Sequence, residues 1–308
     1  MVMSHVAVLM GGFSSERNVS LLTGEVCSRM LESIGYKVTR IDVDRSVSTT
    51  LEKLKPDVVF NALHGPYGED GTIQGILEYL AIPYTHSGVT ASALAMNKSL
   101  SKTIVHSTGL PVAESKIQNR LEISQQHPMK PPYVIKPINE GSSFGVLIVR
   151  EGQSIPTQEL CSSKWLYGDL LMVERFIYGR ELSCAVMGNV TLGVTEIIIQ
   201  ESEFYNHDSK YGMSRSQNII PAHIPPKVYQ KIQTLSLKAH LSLGCRGITR
   251  SDFRWDDRGK GLGELIWLEL NTQPGMTSGS LFPKLAQYAG YGLDKLLTWI
   301  VKDASCCR

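Results

Sequence analysis

The 308-residue chain has little cysteine, little excess charge and no long apolar run. Its six cysteines form no C-x-x-C pair and no metal-ligand spacing, which excludes a disulfide scaffold and a zinc module. A net charge of +2 gives no reason to expect a nucleic acid or an anionic membrane as partner. The first apolar run, residues 6–10, has no basic leader, and no stretch reaches the roughly 20 residues that span a bilayer. We therefore expect a globular protein of a reducing cytoplasm, with neither nucleic acid nor membrane as partner.

The G-x-G-x-x-G dinucleotide fingerprint is also absent, although the first ninety-odd residues alternate strands and helices. Short apolar strands separated by helices indicate a parallel sheet covered on both faces, with ligands at the carboxyl ends of its strands. Ser14 or Ser15 is the expected N-cap of the first helix, and Gly35 its stop. We expect strands at residues 6–10, 38–43, 57–63 and 82–85, and helices at 16–33 and 72–80.

From about residue 95 the pattern changes to an α+β arrangement. Two apolar runs that bracket a Gly/Ser-rich loop indicate an antiparallel hairpin, and a long polar segment indicates a functional lid. These predictions place a hairpin at 131–149, strands at 170–176, 181–186 and 190–199, the lid at 200–226, and helices at 98–107, 228–239, 281–288 and 293–301. We divide the chain into residues 1–95, 96–180 and 181–308.

Residues 266–278 (IWLELNTQPGMTS) are the most informative segment, because they carry a carboxylate and an amide on an apolar strand. Side chains alternate along a strand, so Glu269 and Asn271 share one face. Upstream, Arg250 and Asp252 recur with the same period, and residues 256–263 have the composition of a hairpin connection. If the two strands pair in register, the oxygens of Asp252, Glu269 and Asn271 suit Mg²⁺ that carries substrate phosphates. The alternative is a surface hairpin with solvated acids.

Two loops at the carboxyl ends of the predicted parallel strands hold further candidates. Glu16 follows GGFSS at the start of a helix, where it can complement the helix dipole or receive the ammonium group of a small substrate. His64 precedes Glu69 and Asp70 in a glycine-rich loop, a grouping that favours function over packing.

Several charged residues stand beside the central strands. Lys136 ends an apolar strand before the Gly/Ser loop, where a lysine needs an anion such as a phosphate. The alternative is a surface lysine whose ammonium reaches solvent. Lys98, at a helix start, and Lys210, in the lid, are weaker candidates for phosphate contacts. Glu174 and Glu181 flank a strand turn and are candidates for nucleotide contacts or for an exposed strand face.

Five motifs in order resemble the D-alanine–D-alanine ligase family of the ATP-grasp superfamily. They are GGFSSERNVS at 11–20, NALHGPYGEDG at 61–71, KPINEGSS at 136–143, KY at 210–211 and ELNTQPGMT at 269–277 followed by Ser280 and Leu281. The match runs end to end. It implies an ATP-grasp fold with an N-terminal Rossmann-like parallel sheet. It also implies ATP-dependent joining of two D-alanines through an acyl phosphate, for peptidoglycan precursors.

The resemblance implies a role for each matching position. Glu16 holds the ammonium group of the first D-alanine and forms a linked trio with Ser142 and Tyr211, and His64 is a second contact with this substrate. The remaining implied roles are phosphate contacts for Lys98, Lys136 and Lys210, adenine and ribose contacts for Glu174 and Glu181, Mg²⁺ ligation by Asp252, Glu269 and Asn271, oxyanion stabilisation by Arg250 and the Gly275 amide, and a clamp on the carboxylate of the second substrate by Ser280 with Leu281.

The resemblance further implies two Mg²⁺ ions, replaceable by Mn²⁺, a homodimer, and a preference for D-alanine over D-lactate as second substrate. Asn139 and Phe144 depart from the residues common in the family beside the phosphate loop. The alternative is an ATP-grasp ligase for another amino or hydroxy acid pair. A nicotinamide dehydrogenase would leave Glu269 and Asn271 unexplained, and a catalytically dead nucleotide-binding protein would be expected to lack one of the ligands or lysines.

Overall fold

The computed structural model describes residues 4–198, 217–259 and 261–307. The described strands are β1 (His5–Met10), β2 (Lys37–Asp42), β3 (Val58–Asn61), β4 (Ser115–Asn119), β5 (Tyr133–Pro137), β6 (Leu147–Val149), β7 (Leu170–Arg175), β8 (Arg180–Met187), β9 (Val190–Ile198), β10 (Gln217–Ile219), β11 (Ile248–Asp256) and β12 (Glu264–Asn271). The described helices are α1 (Arg17–Ser33), α2 (Val47–Leu54), α3 (Thr72–Tyr79), α4 (Val89–Met96), α5 (Lys98–Ser107), α6 (Arg120–Ile123), α7 (Thr157–Leu160), α8 (Pro226–Ser242), α9 (Leu281–Tyr288) and α10 (Leu293–Asp303).

The N-terminal sheet is parallel, with strand order β2-β1-β3, as the alternating pattern predicts. The central residues of β1 are fully buried, because helices cover both faces of the sheet. Residues 82–85, predicted as a fourth strand, contribute in the described structure a parallel bridge between Tyr84 and Val59. The predicted N-cap was wrong: α1 begins at Arg17, and Glu16 occupies the cap position without a side-chain cap bond. The Ser14 hydroxyl instead donates to the His64 carbonyl at 2.6 Å, which ties the first loop to the second.

The central sheet has strand order β4-β7-β5-β6, and its neighbouring strands are antiparallel. The predicted hairpin around the Gly/Ser loop is confirmed as β5 and β6. Strand β4 escapes the sequence analysis because it lies at the sheet edge and is mostly exposed. Its residues (SKIQN) therefore lack the apolar alternation of a half-buried strand.

The C-terminal sheet has strand order β10-β9-β8-β11-β12 and is antiparallel. Helix α8 packs on β8 and β9 through its apolar face, which includes the buried Val228 and Ile232. Strand β10 lies inside the range predicted as a lid and forms an edge of the C-terminal sheet, and Pro226, the last residue of that range, begins α8, so the predicted range is not all loop. The structure does not describe residues 199–216, which hold the predicted Lys210 and Tyr211.

Each of the three predicted ranges contains one sheet, but the hydrophobic core crosses the predicted boundaries. Cys27 and Leu31 of α1 share a buried cluster with Leu285 of α9 and Leu297 of α10. The end of the chain therefore packs on the N-terminal sheet, and the three-part division stays a prediction. No helix in the described ranges is long and apolar enough to cross a membrane.

Candidate active site

Strands β11 and β12 bring the predicted oxygen ligands onto one face. Asp252 lies directly opposite Glu269, and Arg250 lies opposite Asn271. The register shifts after Asp252, where a bulge precedes Phe253. The predicted in-register pairing is therefore confirmed at Arg250 and Asp252. We call Asp252, Glu269 and Asn271 the acidic face.

Arg250 holds the Asp252 carboxylate with both ends of its guanidinium. The Nε–Oδ1 and Nη2–Oδ2 distances are 2.9 and 2.8 Å, a bidentate geometry that gives orientation as well as energy. Burial lowers the pKa of Arg250, but the paired Asp252 carboxylate outweighs it, and the net pKa is raised. The Ser183 hydroxyl also donates to Asp252. The carboxylate is thus fixed before any ligand binds.

Lys98 connects the acidic face to the Gly/Ser loop. Its ammonium lies 3.4 Å from Glu269 Oε2 and also donates to the Glu140 carbonyl. Asn97 accepts hydrogen bonds from two backbone N–H groups at the start of α5, which places Lys98 at the first helical position. Lys98 is buried, so it is not the solvated helix-start lysine of the alternative interpretation.

The donor set of the acidic face fits Mg²⁺. Two carboxylates and one amide oxygen are hard ligands, and Mg²⁺ combines one or two carboxylates with substrate phosphates and water. The Asn271 amide oxygen accepts the Gln273 N–H at 2.7 Å, and an amide oxygen has a second lone pair for a cation. In the described ranges no cluster of three or more Asp, Glu, His or Cys side chains could by itself hold a metal. A cation on the acidic face would therefore need further ligands, such as phosphate oxygens or water.

A second group of charges lies between α5 and the central sheet. Lys102 and Lys136 each form an ion pair with one oxygen of Glu174, and all three side chains are at most 9% exposed. We call Lys102, Lys136 and Glu174 the basic cluster. Burial raises the pKa of Glu174, but the two lysines outweigh it and lower the net value. Burial, only partly offset by Glu174, lowers the pKa of Lys102.

The basic cluster answers one question that the sequence analysis left open. Lys136 was expected to need an anion, and in the described structure that anion is Glu174. Lys102 was missed, although its spacing of four residues from the candidate Lys98 puts both on one face of α5. Two lysines share one carboxylate, so the cluster carries one excess positive charge that suits an added anion.

The Gly/Ser loop after β5 touches the first loop of the N-terminal sheet. Ser142 donates to Glu16 Oε2 at 2.5 Å. A Cβ at Gly141 would lie 2.5 Å from Glu16 Oε1, so a larger residue there would displace the Glu16 carboxylate that Ser142 holds. Glu16 is buried by this contact. The Glu16–Ser142 pair of the predicted trio is therefore confirmed, and its third member, Tyr211, lies outside the described residues.

His64 is buried at the carboxyl end of the N-terminal sheet. Its Nδ1 lies 3.2 Å from Glu69 Oε1, and its Nε2 lies 3.1 Å from the Thr23 hydroxyl. Glu69 also accepts the Gly65 N–H at 3.0 Å. The predicted grouping of His64 with an acid is therefore real, and the acid is Glu69.

The residues after β12 form a compact turn. The Ser280 hydroxyl accepts the Thr277 N–H at 3.2 Å and lies 2.9 Å from the Thr277 hydroxyl. Gly275 faces the same hydroxyl, because a Cβ there would lie 2.9 Å from Ser280 Oγ. Leu281 begins α9, and Ser280 occupies its cap position. The turn places Gly275, Ser280 and Leu281 close to each other.

Glu181, the candidate ribose contact, lies on β8 opposite Arg254. The Arg254 Nη1 is 3.5 Å from Glu181 Oε2, and its Nε donates to the Ile177 carbonyl at 3.2 Å. Burial lowers the pKa of Arg254. The sequence analysis did not name Arg254, although it continues the alternation of Arg250 and Asp252 along β11.

The fold places the protein in a class of enzymes. It combines a three-stranded parallel sheet with two antiparallel sheets, as in the ATP-grasp fold. A solved structure titled D-alanine–D-alanine ligase from Bacillus anthracis complexed with ATP matches with a TM-score of 0.80, 28% identity and coverage of 97% of both chains.

The chain belongs to the D-alanine–D-alanine ligase family. The family models described as D-ala D-ala ligase N-terminus and C-terminus match residues 44–87 and 104–302. The curated D-alanine–D-alanine ligase B of Mesorhizobium japonicum is 65% identical over 304 residues, and the D-alanine–D-alanine ligase of Rhizobium meliloti is 64% identical. Each alignment covers 99% of both chains. The resemblance stated from the motifs is confirmed.

Proposed function

We propose that this enzyme uses ATP to join two D-alanine molecules into D-alanyl-D-alanine, releasing ADP and phosphate, for peptidoglycan precursor synthesis. The observation that carries the proposal is the pairing of Asp252 with Glu269 beside Arg250, in a chain 65% identical to a D-alanine–D-alanine ligase. The relatives favour D-alanine over the alternative of another amino or hydroxy acid pair.

In the first half-reaction the carboxylate of one D-alanine attacks the γ-phosphorus of ATP, and ADP leaves. Glu16, held by Ser142, receives the ammonium group of this D-alanine, and His64 is its second contact. Phosphoryl transfer depends mainly on positioning and on neutralising charge. Lys98 and Lys136 supply positive charge to the phosphates. Three observations support these phosphate contacts. Both lysines are buried, the basic cluster has two lysines for one carboxylate, and Lys98 contacts the Gly/Ser loop.

Three further residues complete the nucleotide contacts of this proposal. Glu174 accepts from the adenine side and Glu181 from the ribose. Lys210 and Tyr211 lie outside the described residues, and the family resemblance alone supports their proposed roles as a phosphate contact and as the third member of the trio with Glu16 and Ser142. An acyl phosphate hydrolyses in water, so the reaction needs a site from which water is excluded.

Asp252, Glu269 and Asn271 would hold Mg²⁺, as two ions, and Mn²⁺ would substitute. Bound there, the metal would neutralise phosphate charge in the transition state. Arg250 orients the Asp252 carboxylate through two hydrogen bonds, which is the contribution of the chain itself.

In the second half-reaction the amine of the other D-alanine attacks the acyl carbon, and phosphate leaves. The tetrahedral intermediate carries an oxyanion, which needs donors aimed at it. Arg250 and the Gly275 N–H take this role. Ser280, at the start of α9, binds the carboxylate of the second substrate together with Leu281. We also propose that the enzyme is a cytoplasmic homodimer.

The test is phosphate release from ATP and Mg²⁺ with D-alanine, L-alanine, D-serine or D-lactate supplied separately. D-alanine alone should give rapid release with formation of the dipeptide. Activity with L-alanine but not D-alanine would overturn the substrate assignment. In a further assay with D-alanine and D-lactate together, an ester in place of the dipeptide as main product would favour the alternative acid pair.

A further inference from the structure

Two buried amides from distant parts of the chain meet beside the site. Asn61, the last residue of β3, and Gln273, two residues after β12, are 0 and 2% exposed. The Asn61 Nδ2 group donates to Gln273 Oε1 at 2.9 Å. No role was assigned to either residue from the sequence.

The two amides bond both backbone groups of Leu63, its N–H and its carbonyl. The Asn61 amide oxygen accepts the Leu63 N–H at 3.2 Å, and the Gln273 Nε2 group donates to the Leu63 carbonyl. The remaining N–H of Asn61 donates to the Gly68 carbonyl at 3.0 Å. Leu63 immediately precedes His64, so the amide pair sets where the His64 loop begins.

The other end of the bridge is anchored at the acidic face. The Gln273 N–H donates to the Asn271 amide oxygen at 2.7 Å, and Gly275 follows two residues later. One residue, Gln273, therefore links the start of the His64 loop, through its side chain, to Asn271, through its backbone N–H, and it lies two residues before Gly275.

We propose that Gln273, paired with Asn61, is a positioning residue that sets the first D-alanine against the acidic face. This inference rests on the proposed function, in which His64 contacts that substrate and Asn271 binds the metal. The reacting carboxylate lies between groups from two sheets, and a misplacement of about 1 Å can cost roughly a hundredfold in rate. Hydrogen bonds, unlike apolar packing, fix the distance and the angle between two loops.

The first experiment replaces the amide and keeps the length of the side chain, in Gln273→Met. Initial rates are measured with D-alanine varied at saturating ATP, and with ATP varied at saturating D-alanine. We expect kcat/KM for D-alanine to fall about 10- to 100-fold, with KM for ATP within about twofold of wild type. Unchanged D-alanine kinetics, or a rise in KM for ATP as large as the loss in kcat/KM for D-alanine, would overturn the inference.

The matched control is Ser87→Ala. The Ser87 hydroxyl is buried and bonds the Arg246 backbone, so it also joins the first and third predicted ranges by a hydrogen bond. Its removal should leave kcat/KM for D-alanine within about twofold of wild type, because it does not hold the His64 loop. An equal loss of kcat/KM in the control would mean that the loss of any hydrogen bond between these ranges impairs the reaction. That result would also overturn the inference.

Thermal unfolding separates positioning from stability, and it answers the case in which Gln273→Met folds poorly. The variant is assayed again at temperatures at which its unfolding curve shows it to be fully folded. We expect the D-alanine defect to persist there, because the bonds of the Gln273 amide to Asn61 and to the Leu63 carbonyl are still missing. Wild-type D-alanine kinetics in the fully folded variant would show a merely structural role and would overturn the inference. Wild-type enzyme without D-alanine-dependent phosphate release would instead remove the proposed function itself.

Discussion

The basic cluster and the acidic face each place a glutamate beside a lysine, but they differ in charge and in exposure. In the basic cluster two lysines surround one carboxylate, and every side chain is at most 9% exposed. On the acidic face Glu269 remains 36% exposed beside Lys98, and Arg250 pairs with the buried Asp252. The basic cluster has two lysines on one buried carboxylate, whereas Glu269 lies beside a lysine in a more open place. The number of paired lysines and the exposure of the carboxylate therefore distinguish the proposed phosphate site from the proposed metal site.

The largest expected effect comes from the exposed carboxylate of the acidic face. Glu269→Gln should lower kcat about a thousandfold, because neutralising phosphate charge through a metal is worth several kcal/mol. The protein should still fold, since Glu269 is partly exposed. Steady-state phosphate release and thermal unfolding check both statements.

The control for this variant lies on the same strand. Glu264→Gln removes an exposed carboxylate that pairs with Arg175 at the surface, and should leave kcat near wild type. Near-normal turnover in Glu269→Gln would contradict the metal assignment.

The next effect concerns stability and the basic cluster. Glu174→Gln leaves two buried lysines without their shared anion, so the free energy of unfolding should fall by about 3 kcal/mol. Urea unfolding measures it, with the exposed Glu159→Gln on α7 as control. A loss below about 1 kcal/mol would show that the lysines are solvated in solution.

A smaller effect is expected from Lys136→Met, which removes the excess charge of the cluster and leaves Lys102 to pair with Glu174. KM for ATP should rise about tenfold or more, because hydrogen bonds to charged groups contribute roughly 1.5–3 kcal/mol. KM for D-alanine should change less. Lys130→Met, at an exposed position before β5, is the control, and equal ATP kinetics in the two variants would contradict a phosphate contact by Lys136.

The smallest effect is a pH dependence. The two lysines hold the pKa of Glu174 below its usual value in the folded state. The stability from this group is therefore fully present above its unfolded pKa of about 4.3, and is lost as pH falls through the lower folded value. Between pH 5 and 3, wild type should therefore lose more unfolding free energy than Glu174→Gln, as urea unfolding at a series of pH values would measure. Parallel pH profiles of the two proteins would contradict the shift.

The pairing of Asp252 with Glu269 could be predicted because it depends on local rules. Side chains alternate along each strand, and a short connection joins β11 to β12, so two apolar runs are enough to set the register. The same reasoning misses β4, an exposed edge strand whose residues carry no apolar period.

The partners of the buried charges could not be predicted in this way. Lys102 and Glu174 are 72 residues apart, and Asn61 and Gln273 are 212 apart. No spacing in the chain relates such residues, because their contacts arise only when α5 meets the central sheet and the end of β12 meets the N-terminal sheet. The core shared by α1, α9 and α10 has the same origin.

The sequence by itself determined the family, the reaction class and the strands that bear the oxygen ligands, since these depend on residue types within short segments. Only the tertiary structure decided that Lys136 already has a protein anion, that Lys102 shares it, and that Gln273 links the His64 loop to the acidic face. The physical reason is that burial and pairing of a charge or an amide depend on which surfaces pack together, and that is a property of the assembled sheets.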